Sequence, residues 1–279
     1  MTTAAAWPTS DSPASHQISQ HTVETSGGRR YRLYRAVPSC PNPAGHPSLY
    51  LLDGNAAFAG LTPFLLARVP DLLVVGLGYD TDGLFDYARR RCDYTPPRDG
   101  RGPALDPQRP EYMAGGAATF QQDLLGELRT AAERDVPIDP SGRSLWGHSF
   151  GGLFVLYTLF TRPEAFQSYL PVSPSLWWGD DVMVTLERAA ATRSRAPASV
   201  HVMLGDRESR SDRPKPANPG PAPATLALAS RLQRRSDLDV TTRILTGCGH
   251  RDALDHSLPL ALQHAGGSHT SSGEQASSC

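Results

Sequence analysis

Hydrophobic and polar positions follow two periods along this chain. Residues 31–37 alternate at period two, as a half-buried strand does, and Gly27-Gly28 joins them to a preceding strand near residues 21–25. Residues 48–53 and 72–77 are continuous apolar runs, the pattern of strands buried on both faces of a parallel sheet. A helix is expected over residues 56–67 between them. Residues 120–132 recur at the helical period and predict an amphipathic helix. A short strand over 143–146 leads into an apolar helix that starts near residue 153 and ends near Pro163. Further strands are expected over 166–172, 199–204 and 240–245, and helices over 225–235 and 253–264. This alternation predicts an α/β fold with a mostly parallel central sheet and helices on both faces.

The remaining segments lack such periods. Residues 78–114 are rich in Arg, Asp, Pro and Tyr and read as one long irregular stretch, a length that in a compact domain is commonly functional. Residues 214–223 read as a Pro-rich surface insertion. Residues 1–19 and 266–279 are small and polar, with too little apolar surface to offset their ordering entropy. They are expected to be disordered tails around one domain at 20–265.

Composition narrows the function classes. The 279 residues suffice for one α/β domain with a large core. The net charge of −1, without a basic run, argues against nucleic acid as a partner. No apolar stretch is long enough to span a bilayer. Cys40, Cys92, Cys248 and Cys279 form no CxxC pair and no zinc spacing, so free thiols are expected, with no metal and no cofactor. Residues 1–14 lack the basic and apolar regions of a signal peptide. The cytoplasm is the expected location, with the periplasm as the alternative if the true start lies upstream.

The chemistry concentrates in Trp146-Gly147-His148-Ser149-Phe150-Gly151-Gly152, a G-x-S-x-G pattern between a predicted strand and a predicted helix. That is the context of a nucleophile elbow, in which glycines let the helix pack close to the strand and leave the serine hydroxyl exposed. Ser149 is therefore the candidate nucleophile, against a Gly-rich structural turn. On such a sheet the acid and then the base follow the nucleophile in the chain. His250, in Gly247-Cys248-Gly249-His250, directly follows the last predicted strand and is the candidate general base. His148 is adjacent to the nucleophile and points elsewhere. Glu208 is favoured as the acid over Asp206, both after the strand at 199–204; a dyad without a dedicated acid is the third possibility. The oxyanion donors expected are the backbone N–H groups of Phe150 and Asn55, with Gly54 as the alternative to Asn55. Asp53 reads as an acceptor that fixes that loop.

Several segments together carry a resemblance. Residues 50–55 (Tyr-Leu-Leu-Asp-Gly-Asn), 75–79, Phe85-Asp86 with residues 90–96, the elbow, and Val172-Ser173-Pro174-Ser175-Leu176 resemble the putative esterase family of α/β hydrolases. Within it the chain is most similar to the enterobactin and salmochelin trilactone hydrolases, over residues 22–265. The resemblance implies an α/β-hydrolase fold and hydrolysis of a catechol-acylated serine trilactone, sometimes as its ferric complex. It matches Ser149 and His250 to the family's nucleophile and base, and Arg90 to an arginine that helps hold the anionic catechol ligand. The bland reading of residues 89–91 is a solvated cluster paired with Asp86 or Asp93. Trp177 reads as an aromatic wall for a ring-bearing ligand, or as core packing. Members of that branch are exported or membrane-tethered, whereas this chain opens without a leader. Two other functions fit the sequence: a generic carboxylesterase or acyltransferase for small esters, and a catalytically silent ligand-binding fold.

Overall fold

An eight-stranded sheet organises the chain, seen in a computed structural model that describes residues 14–98, 100–193, 196–209 and 220–267. In chain order the elements are β1 His16–Glu24, β2 Arg30–Pro38, β3 His46–Leu52, α1 Gly54–Ala59, α2 Pro63–Ala67, β4 Leu73–Tyr79 and α3 Tyr87–Tyr94. Then come β5 Ala104–Asp106, β6 Arg109–Ala114, α4 Ala117–Asp123, a π-helical stretch Leu124–Leu128 and α5 Arg129–Ala132. The second half holds β7 Ile138–His148, α6 Phe150–Thr161, β8 Ser168–Val172, α7 Val182–Ala189, β9 Ala198–Arg207, α8 Pro223–Leu232, β10 Leu238–Gly249 and α9 Asp252–Gly267.

The spatial order of the sheet is β1-β2-β4-β3-β7-β8-β9-β10, and β5-β6 form a separate hairpin. The strands from β4 to β10 pair in parallel; β1–β2 and β2–β4 are antiparallel. This is the α/β-hydrolase fold. Side-chain alternation in the strands feeds two cores. Leu49 and Leu51 of β3 face α1, α2 and α9, whereas Tyr50 and Leu52 face the side covered by α3 to α8. The parallel strands all end at one edge, and their loops gather there.

Several elements differ from the sequence reading. β1 takes in residues 16–19, expected in the disordered tail, because its register with β2 is unbroken from His16 opposite Pro38. The buried His16 ring, with Nε2 3.0 Å from the Leu72 carbonyl, anchors that end. The helix expected over 56–67 is two helices: α1 stops at Gly60, and α2 starts at Pro63 with Thr62 Oγ1 accepting from the Leu65 N–H. Residues 78–114 are not one irregular stretch, since α3 and the β5–β6 hairpin form within them. The amphipathic helix is interrupted by its π-helical stretch, and α7 was not expected. Residues 1–13, 214–219 and 268–279, where tail and insertion readings fall, lie outside the described residues.

Candidate active site

β7 delivers Ser149 at a backbone conformation that L-residues rarely adopt, φ 60° and ψ −115°. The turn is held from three directions. The Ser149 N–H donates to the Val172 carbonyl at 2.9 Å, and the Ser149 carbonyl accepts from Leu153 and Ser175. Close packing explains the glycines. A Cβ on Gly147 would lie 2.5 Å from the Gly151 carbonyl carbon, and one on Gly152 would lie 2.7 Å from the Val172 oxygen. Either would push α6 off the strands and misplace the hydroxyl.

His250 and Glu208 converge on this hydroxyl. Ser149 Oγ lies 3.0 Å from His250 Nε2, and His250 Nδ1 lies 2.9 Å from Glu208 Oε2. With Nδ1–H donated to the carboxylate, Nε2 is free to accept the serine proton. The other Glu208 oxygen accepts from the Ser173 hydroxyl and from the Gly205 N–H. Burial works to raise the Glu208 carboxyl, but the bonds from His250, Ser173 and Gly205 outweigh it and hold the carboxyl below the ordinary 4.5. Asp206 is turned away: its carboxylate accepts from the Gly247 N–H at 3.0 Å, inside a bulge of β10. Gly205 permits that bulge, since a Cβ there would meet the Cys248 carbonyl oxygen at 2.2 Å.

Three residues that sequence reasoning left without a role also touch this assembly. Ser173 holds Glu208, and Ser175 Oγ lies 3.1 Å from Ser149 Oγ. His148 Nε2–H donates to the His250 carbonyl at 2.7 Å, and the two rings lie 4.8 Å apart. Burial, then the neighbouring His250, push His148 down to about 3, so it stays a neutral donor. Both serines belong to the Val172–Leu176 pattern that carries the family resemblance, but only the register of β8 against β9 reveals their targets.

The candidate oxyanion donors lie at two helix starts. Phe150 is the first residue of α6 and Asn55 belongs to the first turn of α1, where N–H groups have no intrahelical acceptor. The Asn55 side chain is tied down by Tyr79 and Thr81, so only its backbone is available. Gly54 sits so close to β4 that a Cβ would meet the Gly76 carbonyl carbon at 2.7 Å. Asp53, at φ 51°, precedes α1 and carries the main surprise of the site.

Arg90 was expected to face the ligand. It is buried, and its fork closes on Asp53: Nε to Oδ1 and Nη2 to Oδ2, both 2.8 Å. Its guanidinium also lies near the rings of Phe85, Tyr94 and Phe150. Burial disfavours its charge, but Asp53 more than compensates and its pKa is raised. Two of its five donors are thereby committed to the carboxylate that precedes α1, which fixes the Asp53 turn, and the residue also lines the cavity beside Ser149. Its neighbours are paired as well, Arg89 with Asp93 and Arg91 with Asp106. Asp86, offered as a partner, caps α3 by accepting from the Arg89 N–H.

A cavity of about 610 Å³ opens beside Ser149 and His250, between α1, the residue 84–87 loop and the start of α9. On the other side of the elbow, Phe150 packs 5.5 Å from the half-buried Trp177 and edge-on to the buried Trp178. Trp177 does not line the 610 Å³ cavity. Arg91 lies over Phe150 at 5.0 Å and Arg98 over Trp178 at 5.2 Å. Among the described residues, no three His, Cys, Asp or Glu side chains gather as a metal site, and no helix is long and apolar enough to cross a membrane.

Comparison with known proteins bears on this geometry. The profile of the family described as Putative esterase matches residues 25–239. The chain is 32% identical over 268 residues to the ferri-bacillibactin esterase BesA of Bacillus subtilis, covering 88% of this chain and 89% of that one. It is 39% identical over 163 residues to the apo-salmochelin esterase of Escherichia coli O6:H1, covering 57% of this chain but 51%, about half, of that protein. The solved enterobactin and salmochelin hydrolase IroE superimposes with a TM-score of 0.73 at 27% identity, over 91% of this chain and 96% of its own.

Proposed function

This chain belongs to the Putative esterase family and is a carboxylic ester hydrolase; we propose that it is a serine esterase that opens the ester bonds of a catecholate siderophore trilactone. The observation that carries the mechanism is the continuous chain Ser149 Oγ, His250 Nε2, His250 Nδ1, Glu208 Oε2 at a strained elbow. The substrate class follows relatives whose names specify siderophore esters.

In this reading His250 takes the Ser149 proton as Oγ attacks the ester carbonyl. The carbonyl oxygen gains the negative charge, which the N–H groups of Phe150 and Asn55 receive. Collapse breaks the bond to the serine alkoxide of the trilactone, and His250 hands that oxygen the proton. Water, deprotonated by His250, then attacks the acyl-enzyme and releases the carboxylate and Ser149. Glu208 holds the imidazole in the required tautomer and offsets the charge of the imidazolium. The aromatic and cationic side of the elbow, Phe150, Trp177 and Arg98, suits an anionic ring ligand. Arg98 pairs loosely, at 3.9 Å, with the exposed Asp180 and lies over the Trp178 ring, which puts its charge beside this aromatic face.

The test is hydrolysis of enterobactin followed by chromatography of its linear products. The wild type cleaves it with kcat/KM well above that for p-nitrophenyl acetate. Ser149→Ala abolishes both reactions and the labelling by a fluorophosphonate probe. Brisk cleavage of simple esters with an intact trilactone would leave the generic carboxylesterase; labelling of Ser149→Ala would refute the nucleophile.

A further inference from the structure

The 610 Å³ cavity has a chemistry that an anionic ring ligand does not need. Its walls are Ala56, Ala59, Leu84, Phe85, Leu254 and Leu258, and Ser149 and His250 close its inner end. Arg90 and His148 also line the inner end, the charge of Arg90 balanced there by the buried Asp53. Arg90 spends its fork on Asp53, and His148 donates to the His250 carbonyl. At the rim, Arg251 and Asp255 are both exposed and oppose each other in sign, so the mouth offers no net charge. From Arg251 to Leu258 the wall follows about two helical turns, a length of about 10 Å. Gly60 keeps its floor open, for a Cβ there would come within 3.3 Å of Leu258.

We infer that this cavity binds an uncharged apolar arm of the scissile ester, a medium aliphatic chain or an aryl ring, so that the enzyme also hydrolyses neutral apolar esters. The inference rests on the proposed roles of Ser149 and His250, because a pocket contributes to turnover only if it ends at the reacting atoms. A ligand held there sits within reach of the base, while charged groups stay on the Phe150 and Arg98 side. Each methylene taken from water is worth about fourfold in binding. Where the arm is buried before the transition state, that gain reaches kcat/KM.

The experiment uses two ester series on the full chain: p-nitrophenyl esters from acetate to octanoate, and alkyl acetates from methyl to hexyl. One series lengthens the acyl arm and the other the alcohol arm. In at least one of them kcat/KM rises about tenfold or more between the shortest and a six-carbon arm. Ala59→Trp projects an indole from the exposed end of α1 across the cavity, and it reduces the long-to-short ratio to near one. Leu84→Trp is the second variant should the first fold poorly. Flat or falling kcat/KM in both series, with p-nitrophenyl acetate cleaved and Ser149 labelled by fluorophosphonate, overturns the pocket and leaves the esterase reading standing. A rising series whose ratio survives both tryptophan variants overturns it too. Absence of labelling and of any ester cleavage removes the esterase reading and this inference together.

Discussion

Replacing Arg90 by alanine tests whether the buried ion pair holds the oxyanion loop or the ligand. Arg90 is 8% exposed and Asp53 2%, so solvent cannot take over for either partner. Arg90→Ala leaves a buried carboxylate without its two hydrogen bonds, a change that costs about 3–5 kcal/mol. For a chain of this size each kcal/mol lowers Tm by about 2–4 °C, so a drop of about 6–20 °C is expected in calorimetry. Catalysis falls as well. Asp53 sits at φ 51° just before α1, two residues from Asn55, and a turn that relaxes misaims the Asn55 N–H proposed as an oxyanion donor. Loss of one such donor costs about 10²–10³ in kcat. The loss applies equally to enterobactin and to p-nitrophenyl acetate, because both esters develop the same oxyanion. Arg90→Met with Asp53→Asn removes the unpaired charge and regains most of the Tm, but not the activity. The reasoning is refuted if Arg90→Ala melts like the wild type and loses only the trilactone reaction.

Glu208→Gln lowers kcat by as much as about 10⁴, whereas Asp206→Asn, which touches a loop N–H, stays within about threefold; steady-state kinetics on one ester decides. Because the folded Glu208 carboxyl lies below 4.5, its stabilisation is present above that pH and is lost as pH falls through the folded value, so the wild type loses stability there faster than Glu208→Gln. Asp93 has the opposite sign: burial raises it to about 6 from 3.8, so its contribution is present below 3.8 and is lost as pH rises through 6. Urea titrations of Asp93→Asn and wild type at pH 4 and pH 7 differ in their gap by on the order of 2–3 kcal/mol, in favour of the variant at pH 7. Gly147→Ala forces a Cβ to 2.5 Å from backbone and lowers both Tm and ester turnover, the latter at least about 100-fold.

The elbow was legible because its requirement is local: glycines at fixed offsets between an apolar strand and an apolar helix. His250 was legible for a similar reason, since it directly follows the last strand in a Gly-flanked loop. The pairing of Arg90 with Asp53 was not legible because three consecutive arginines on one helix point about 100° apart, and which of them turns inward depends on how α3 lies against α6 and the Asp53 turn. Periodicity along α3 carries no such orientation. Glu208 was favoured, but Asp206 stayed open as the acid for the same reason: the bulge in β10 that occupies Asp206 is a pairing event across two strands. The hairpin β5–β6 and helix α7 escaped because they are short and their apolar pattern is weak.

The hydroxyl, the imidazole and the carboxylate come from the ends of β7, β10 and β9, and the first two lie 101 residues apart in the chain. Parallel strands with such separations pair late, since loop closure must be met before any contact rewards it. During synthesis the elbow helix can dock long before His250 leaves the ribosome, and until α9 closes over β7 the nascent chain lacks the proposed base. Ester cleavage therefore reports completion of the whole sheet. A variant that loosens β10 or α9 anywhere along their length should lose turnover in step with global unfolding, and refolding followed by activity should lag behind refolding followed by helical circular dichroism.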